Sequence, residues 1–407
     1  MKRHILLAAL LGAILGLSAK TRKAVFVIID GIPAQTIERL QPPTLMDIAR
    51  HGRYSRAYCG GEVGAYSQTA TISAIGYTNI LTGTWVNKHN VRGNGNIEAN
   101  YNYPTLFRIA KDQSRPVTTA IYSSWTDNRT ILLGEGRPET RNLKVDYVFD
   151  GYDKDKQHYP DEPGDLHIQK IDGRVCEEAA KCIGTNAPDL NWIYLWYTDD
   201  AFHNHGHGQF SDESVMTVDR QLAPVWQAIC QREKENDEEW LVIVTTDHGR
   251  TVTGKGHGGQ TQEERTVWVI TNQKRVNRQF HRPTLSHVDI NPTICRWMDF
   301  QVPRDVEFER DGIPFIGPTD ICNLHAETYD KQLNLTWDAQ GNSGPATVWI
   351  SPTNDFAKGG HDEWKQAGQV PARSGSYQID LSPWPEARTF KIVVQTPATT
   401  LTRWLVK

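Results

Sequence analysis

Ala24-Val-Phe-Val-Ile-Ile29 runs directly into Asp30-Gly31, and the reading of this stretch decides the fold. Six apolar residues in a row, four of them β-branched, describe a strand covered on both faces, as in a parallel sheet. Four similar runs follow: Val117 to Tyr122, Trp192 to Tyr197, Trp240 to Val244 and Thr266 to Ile270. Between them, Pro104 to Lys111, Ile171 to Cys182 and Ser214 to Arg232 carry apolar residues at helical spacing. Strands alternating with helices predict an α/β fold, a mostly parallel sheet sandwiched by helices. Functional groups in such folds collect beyond the C-terminal ends of the strands. Asp30, Asp199 and Asp247 each follow an apolar run closely and are therefore expected along one edge of one sheet.

The pattern changes after Gly317. Leu333 to Trp337, Ala346 to Ile350, Ser376 to Asp380 and Thr389 to Val394 alternate apolar with polar residues and are separated by Gly, Pro, Asn and Asp. This predicts a small all-β sandwich over residues 318–407, similar in pattern to fibronectin type III-like modules. A glycan or surface contact is one use such a module could have. The α/β part is expected over residues 20–317. At the other end, Met1-Lys-Arg-His4 is basic, Ile5 to Leu17 is apolar and Ser18-Ala19 is small, the layout of a signal peptide over residues 1–19. The apolar run is shorter than the roughly 20 residues a membrane span needs. A periplasmic or secreted protein without a membrane span after signal removal is the expectation. Six cysteines in an exported chain could pair, but no CxxC spacing suggests a zinc knuckle. The net charge of −4 argues against a nucleic-acid polymer as partner.

Chemistry concentrates in four places. Val244-Thr-Thr-Asp247-His248-Gly249 sets a carboxylate and an imidazole side by side after a buried strand, both able to turn toward a metal. In Asp199-Asp-Ala-Phe-His203 the first and last residues are four apart, so on a helical turn they share a face and can hold one cation. Asp200 competes with Asp199 for that role, and His205 and His207 read as outer neighbours. Asp30-Gly31 closes the first strand. Gly256-His257-Gly-Gly259 frees the backbone around one imidazole, with His287 as a rival for the late position.

Taken together these pieces resemble the alkaline phosphatase superfamily over about Lys23 to Gly317. The order matches: an early Asp, a Ser or Thr nucleophile, Asp-x3-His, Asp-His, then a late His. The resemblance implies that Asp199, His203 and His257 hold one metal ion while Asp30, Asp247 and His248 hold the other. Zinc is implied first by the mixed Asp and His donors, with manganese as the alternative. Ser73-Ala-Ile-Gly76-Tyr-Thr-Asn79-Ile-Leu-Thr82-Gly83 resembles the start of the helix that carries the nucleophile. The Ser-x-x-Gly-x-x-Asn-Ile pattern is similar to phosphoglycerate mutase-like members, and the ten-residue interval to Gly83 matches type I phosphodiesterase/nucleotide pyrophosphatase members. This makes Ser73 the implied nucleophile and a metal ligand. An N-cap role for Ser73, or a miscount among Ser67, Thr69 and Thr71, is the competing reading. Asn94, five residues after His89, resembles the Asn that donates to a phosphoryl oxygen in phosphodiesterase members, though it also suits a plain turn.

The Cys/Ser-x-Pro-x-Arg context of sulfatases is missing after Ser73, where Ala, Ile, Gly and Tyr stand. The expected activity is therefore hydrolysis of a small phosphate ester, with diesterase or pyrophosphatase action first and phosphomonoesterase second. A sulfatase-like hydrolase comes after these, and a non-catalytic surface-binding protein is the rival from another class. Trp85, Tyr101 and Trp125 are candidates to line a leaving-group pocket.

Overall fold

The computed structural model describes residues 20–340 and 344–406, so the basic start and the apolar run of the expected signal peptide lie outside the described residues. The first sheet has seven strands: β1 (Thr21–Ile29), β2 (Arg53–Tyr58), β3 (Thr119–Ser123), β4 (Tyr147–Phe149), β5 (Leu190–Leu195), β6 (Glu238–Thr245) and β7 (Thr266–Thr271). Their spatial order is β2-β7-β6-β1-β5-β3-β4. All run parallel except β7, which pairs antiparallel with both β6 and β2. β1 lies in the centre between β5 and β6, and this explains its unbroken apolar run. Phe26 and Ile28 enter one core while Val25, Val27 and Ile29 enter the other.

Eleven α-helices are present among the described residues. The first five are α1 (Ala34–Leu40), α2 (Pro43–His51), α3 (Ser73–Thr82), α4 (Val86–His89) and α5 (Leu106–Lys111). The others are α6 (Leu166–Thr185), α7 (Tyr197–His205), α8 (Gln209–Glu235), α9 (Gln262–Arg265), α10 (Ile290–Trp297) and α11 (Arg304–Glu309). One face of the sheet packs on α3, α5 and α10 through Tyr77, Phe107 and Ile294; the other packs on α1, α2, α6 and α8 through Ile37, Leu45, Ile171 and Val215. The apolar run expected to extend through Tyr197 ends as a strand at Leu195. The Asp172 carboxylate accepts the backbone N–H groups of Trp196 and Tyr197 at 3.0 and 2.8 Å, and α7 begins there. Aromatic β-propensity loses to a buried cap supplied from another helix.

The C-terminal part adds β8 (Ile321–Tyr329), β9 (Gln332–Ala339), β10 (Pro345–Ser351), β11 (Lys365–Pro371), β12 (Ser376–Asp380), β13 (Thr389–Gln395) and β14 (Thr400–Val406). They form two antiparallel sheets, β11-β10-β13-β14 and β12-β9-β8, closed over a core that includes Trp337, Ile350 and Ile392. All six cysteines carry free thiols, so the structure departs from the disulfides the sequence allowed. Cys59, Cys176, Cys182, Cys295 and Cys322 are buried as small apolar side chains, and such positions need no bridge to be stable.

Candidate metal centre

Asp30 and Asp247 leave the sheet at the C-terminal ends of neighbouring strands β1 and β6, whose register pairs Ile28 with Thr245. The Asp247 Oδ1 atom accepts the Gly31 N–H at 2.9 Å, which ties the two loops together. His248 Nδ1 lies 3.0 Å from the Gly249 carbonyl and can only donate to it, so its Nε2 lone pair faces the carboxylates. That Nε2 stands 3.4 Å from Asp30 Oδ1 and 3.3 Å from Asp247 Oδ2. Both of these carboxylate oxygens are buried and have no hydrogen-bond partner. Two orphaned anionic oxygens around one imidazole lone pair fit a divalent cation, because a buried carboxylate without a partner is otherwise strongly disfavoured. The second oxygen of Asp30 accepts from the hydroxyls of Tyr77 and Tyr194, the latter at 2.7 Å.

A second group adjoins the first. Asp199 and His203 lie four residues apart in α7, with His203 Nε2 at 3.3 Å from Asp199 Oδ2. His257 Nε2 is 3.1 Å from His203 Nε2 and 3.9 Å from Asp199 Oδ1. His257 Nδ1 donates to the Thr71 carbonyl at 2.8 Å, so here too Nε2 is the free donor. One donor atom each from Asp199, His248 and His257, and likewise from Asp30, Asp247 and His248, fall within 4.8 Å of one another. Three carboxylates against one guanidinium leave the cluster electron-rich, as a cation site requires.

That guanidinium belongs to Arg250, which the sequence reading did not single out. It is fully buried, pairs with Asp199 Oδ1 and donates to the carbonyls of Gly31 and Asp199 at 2.9 and 3.1 Å. Gly31 has φ +65, and a β-carbon there would collide with the Arg250 guanidinium, so the Asp30-Gly31 pair makes room for it. Its signal in the sequence is position alone: a charged residue directly after Asp-His-Gly. Tyr77 and Tyr194 were missed as well. Tyr77 could have been found four residues after Ser73, on the same helix face.

Ser73 is the first residue of α3, and Ile72 occupies the cap position. Its Oγ lies 3.3 Å from His248 Nε2. The rival hydroxyls are engaged elsewhere or stand off: Thr71 donates to Gly259 and accepts from Gly258, and Ser67 accepts from Glu62. A β-carbon on Gly76 would stand 2.7 Å from the Asp247 carbonyl, so the glycine of Ser-x-x-Gly lets α3 lie directly against the Asp247 loop. Asn94 Oδ1 accepts the Ala74 N–H at 2.9 Å and so borders Ser73 at the start of the helix. His287 is not in the cluster; its Nε2 is 2.8 Å from the Thr246 carbonyl, behind the Asp247 loop. Asp200 also stays outside, lining a cavity of about 280 Å³ with Trp125, Trp196, Asp165 and His167. Trp85 instead stacks on Tyr58, and Tyr101 donates to the Ile131 carbonyl. His205 stacks on Phe210 and His207 meets the edge of Phe202, so both stand outside the cluster.

The charges diverge across the cluster. Burial opposes the imidazolium of His248, but the Asp247 and Asp30 carboxylates outweigh it and raise the group to about 9. Burial and the Asp30 charge push Asp247 well above the usual carboxylate range. Burial and the neighbouring His248 lower His257 to about 4. Asp199 resists burial: Arg250 and His203 hold its carboxyl below the usual range.

A family model described as type I phosphodiesterase / nucleotide pyrophosphatase matches residues 24–261. Among solved structures, a phosphonoacetate hydrolase from Sinorhizobium meliloti in complex with phosphonoformate aligns at 18% identity with a TM-score of 0.41, covering 57% of each chain. The chain thus spans little more than half the length of that relative. The phosphonate monoester hydrolase of Agrobacterium radiobacter aligns at 12% identity over 94% of this chain and 89% of that one, with a TM-score of 0.49. A candidate sulfatase of Bacteroides thetaiotaomicron aligns at 12% identity over 91% and 87%, with a TM-score of 0.50, which speaks for the fold alone. No curated protein matches.

Proposed function

Because the chain belongs to the type I phosphodiesterase/nucleotide pyrophosphatase family, a metal-dependent family, we propose that it is a phosphoester hydrolase that cleaves a small phosphodiester or pyrophosphate through a phosphoseryl intermediate on Ser73. The observation that carries this reading is the pair of orphaned oxygens, Asp30 Oδ1 and Asp247 Oδ2, converging on His248 Nε2 with the Ser73 hydroxyl 3.3 Å from the same nitrogen. Two divalent cations held by Asp30, Asp247 and His248 and by Asp199, His203 and His257, zinc first and manganese second, would supply Lewis-acid charge and lower the pKa of a hydroxyl or water.

The remaining work falls to the chain. Ser73 Oγ forms a bond to phosphorus while the bond to the leaving-group oxygen breaks on the opposite side, and that oxygen leaves with a proton. The phosphorus on Ser73 keeps the substrate's other ester group, so water then attacks a seryl phosphodiester and releases the phosphate monoester and the serine hydroxyl. Asn94 spends its carbonyl on the Ala74 N–H, so its amide nitrogen is the donor on offer to a non-bridging oxygen. The cavity lined by Trp125, Trp196 and Asp200 is the candidate place for the leaving group, because Trp125 meets the ring of Tyr77, whose hydroxyl donates to Asp30.

The test is a side-by-side assay of bis-p-nitrophenyl phosphate, p-nitrophenyl phosphate and p-nitrophenyl sulfate with zinc or manganese, joined to acid quench and peptide mass spectrometry. Turnover of the diester with a p-nitrophenyl phosphoryl group on the Ser73 peptide is expected. Turnover of the monoester alone would move the reading to a phosphomonoesterase, and a sulfate signal alone would overturn it. The hydrolase unit is assigned to residues 20–317 and a separate sandwich to residues 318–407. The Lys2-Arg3 start and the Ile5 to Leu17 run support export to the periplasm or medium, and a mature N-terminus near Lys20 is the expected result of terminal sequencing. No helix among the described residues is long and apolar enough to cross a membrane.

A further inference from the structure

The loop between β2 and α3, residues 59–72, contains neither helix nor strand and delivers Ser73 to the site. It is gripped at two places by different parts of the molecule. Near its end, the Thr71 carbonyl accepts from His257 Nδ1, and the Thr71 hydroxyl bridges Gly258 N and Gly259 O at 2.9 and 3.1 Å. Its outer arch meets β14 of the C-terminal sandwich. Tyr66 stacks on Trp404 with ring centres 6.0 Å apart and planes 19° off parallel, and its hydroxyl accepts the Trp404 N–H at 3.1 Å. Arg403 lies over the Tyr66 ring and pairs with Glu62 at 2.5 Å.

The loop between these grips is cross-linked rather than slack. Glu62 N donates to Ser67 Oγ, Gln68 N to the Ala65 carbonyl, and Thr69 N to the Gly60 carbonyl. A shift of the arch is therefore passed to Thr71, and from there both to His257 and to Ser73 two residues later. The other side of the grip is equally firm. Trp404 is 8% exposed and lies under the ammonium groups of Lys88 and Lys391 at 5.4 and 5.0 Å. Lys88 of α4 pairs with Asp311 at 2.7 Å, and Lys391 of β13 pairs with Glu309 and with Asp362 at 2.6 Å, all of them buried. β14 is thus bolted to the segment that follows α3 while it holds the loop that precedes it.

We propose that the C-terminal sandwich is a working part of the hydrolytic site, with Tyr66, Arg403 and Trp404 as positioning residues that hold the loop carrying Ser73 and the backbone that orients His257. This rests on the reading of Ser73 as nucleophile. The Glu62–Arg403 pair is half-buried and keeps contact with solvent, where an ion pair adds little to stability by itself, so its value here is geometric. A misplacement of about 1 Å at a reacting group can lower a rate by roughly 100-fold.

The experiment compares Tyr66→Ala, Tyr66→Phe, Arg403→Glu and the charge exchange Glu62→Arg/Arg403→Glu in the full-length protein loaded with zinc, using the diester substrate. Tyr66→Ala is expected to lower kcat about 10- to 100-fold with KM changed much less, and to slow formation of the Ser73 phosphoryl adduct in the acid quench. Tyr66→Phe, which keeps the stack, is expected to retain most of kcat. Arg403→Glu should lower kcat and the charge exchange should restore it. Unchanged kcat in folded Tyr66→Ala overturns the proposal, as does an equal loss in Tyr66→Phe, or a loss in Arg403→Glu that the exchange leaves in place. Full turnover in Ser73→Ala would instead overturn the nucleophile reading, so the two failures are distinguishable. The exchange pair is at the surface and keeps the test valid if Tyr66→Ala does not fold.

Discussion

The side chains of Asp30, Asp247 and His248 are 0–2% exposed, whereas Asp199 and His257 are 11% and His203 is 41% exposed. The inner three come from the ends of two adjacent central strands and are backed by Tyr77 and Tyr194. The outer three come from the first turns of α7 and from the glycine-flanked loop around His257, with Arg250 already paired to one Asp199 oxygen. Strand ends in a packed sheet have little freedom, so they can carry orphaned charge poised for a cation, while a helix end and a loop need a counter-charge to hold a carboxylate in place. The inner group is therefore expected to bind its cation tightly and the outer group more loosely.

The sharpest way to break this comparison is Asp247→Asn, which removes the negative charge behind the unpartnered Oδ2 atom. Metal content measured after desalting should fall at the inner group, and diester turnover should drop by more than the roughly 100-fold that loss of an outer partner produces. Retention of a tightly held ion would reverse the ranking of the two groups. Next in size is Arg250→Met. Breaking a buried pair while leaving its partner costs about 3–5 kcal/mol, and this loss should appear in denaturant melts of chelator-treated protein. With zinc present the cation takes over as partner for Asp199, so the loss should shrink. An equal loss with and without zinc would show that Arg250 and the cation do not share Asp199.

His203→Ala tests the outer group directly. Calorimetric titration should show one of two binding events weakened by more than the about 10- to 100-fold that loss of a ligand's supporting partner costs, and the other unchanged; weakening of both would mean that the groups act as one. The smallest effect is a proton count. His248 is raised to about 9 by Asp247 and Asp30 against its burial, while His257 is lowered to about 4 by burial and His248. At pH 7.5 the inner group of the metal-free protein thus holds a proton that an incoming cation must expel, and His257 holds none. Zinc titration in weakly buffered solution should release at least one proton at the tight step, where Asp247 is raised as well as His248, and almost none at the loose step. The sign for stability follows from the same shift. A raised histidine stabilises the metal-free fold below its unfolded value near 6.5, and that contribution disappears as pH rises through about 9.

How far the sequence carries differs between these groups for a physical reason. Asp30 and Asp247 were legible because a strand buried on both faces leaves an unbroken apolar run, and a charged residue at its end has few bland explanations. The sandwich was half legible. β9 and β10 alternate, but β13 is buried along its middle and β11 (Lys-Gln-Ala-Gly-Gln-Val-Pro) is a polar edge strand with little alternation to read. β2 was missed because it pairs only with β7 at a sheet edge and keeps arginines at Arg53 and Arg56. Only the four-residue spacing to His203 put Asp199 ahead of Asp200 in the sequence; the face of α7 decides, since it turns Asp199 toward His203 and Arg250 and Asp200 toward Asp165 and Trp196.

By itself the sequence determined the α/β class, the strand-end carboxylates, the Asp-x3-His pair and the helix that begins at Ser73, because each is written in residues adjacent or one turn apart. Only the tertiary structure decided that His257 rather than His287 joins the cluster, that Arg250 neutralises Asp199, that Tyr77 and Tyr194 hold Asp30, and that β14 grips the loop before Ser73. Those contacts join residues tens to hundreds of positions apart, and no local pattern encodes a partner that is chosen by the packing of the whole chain.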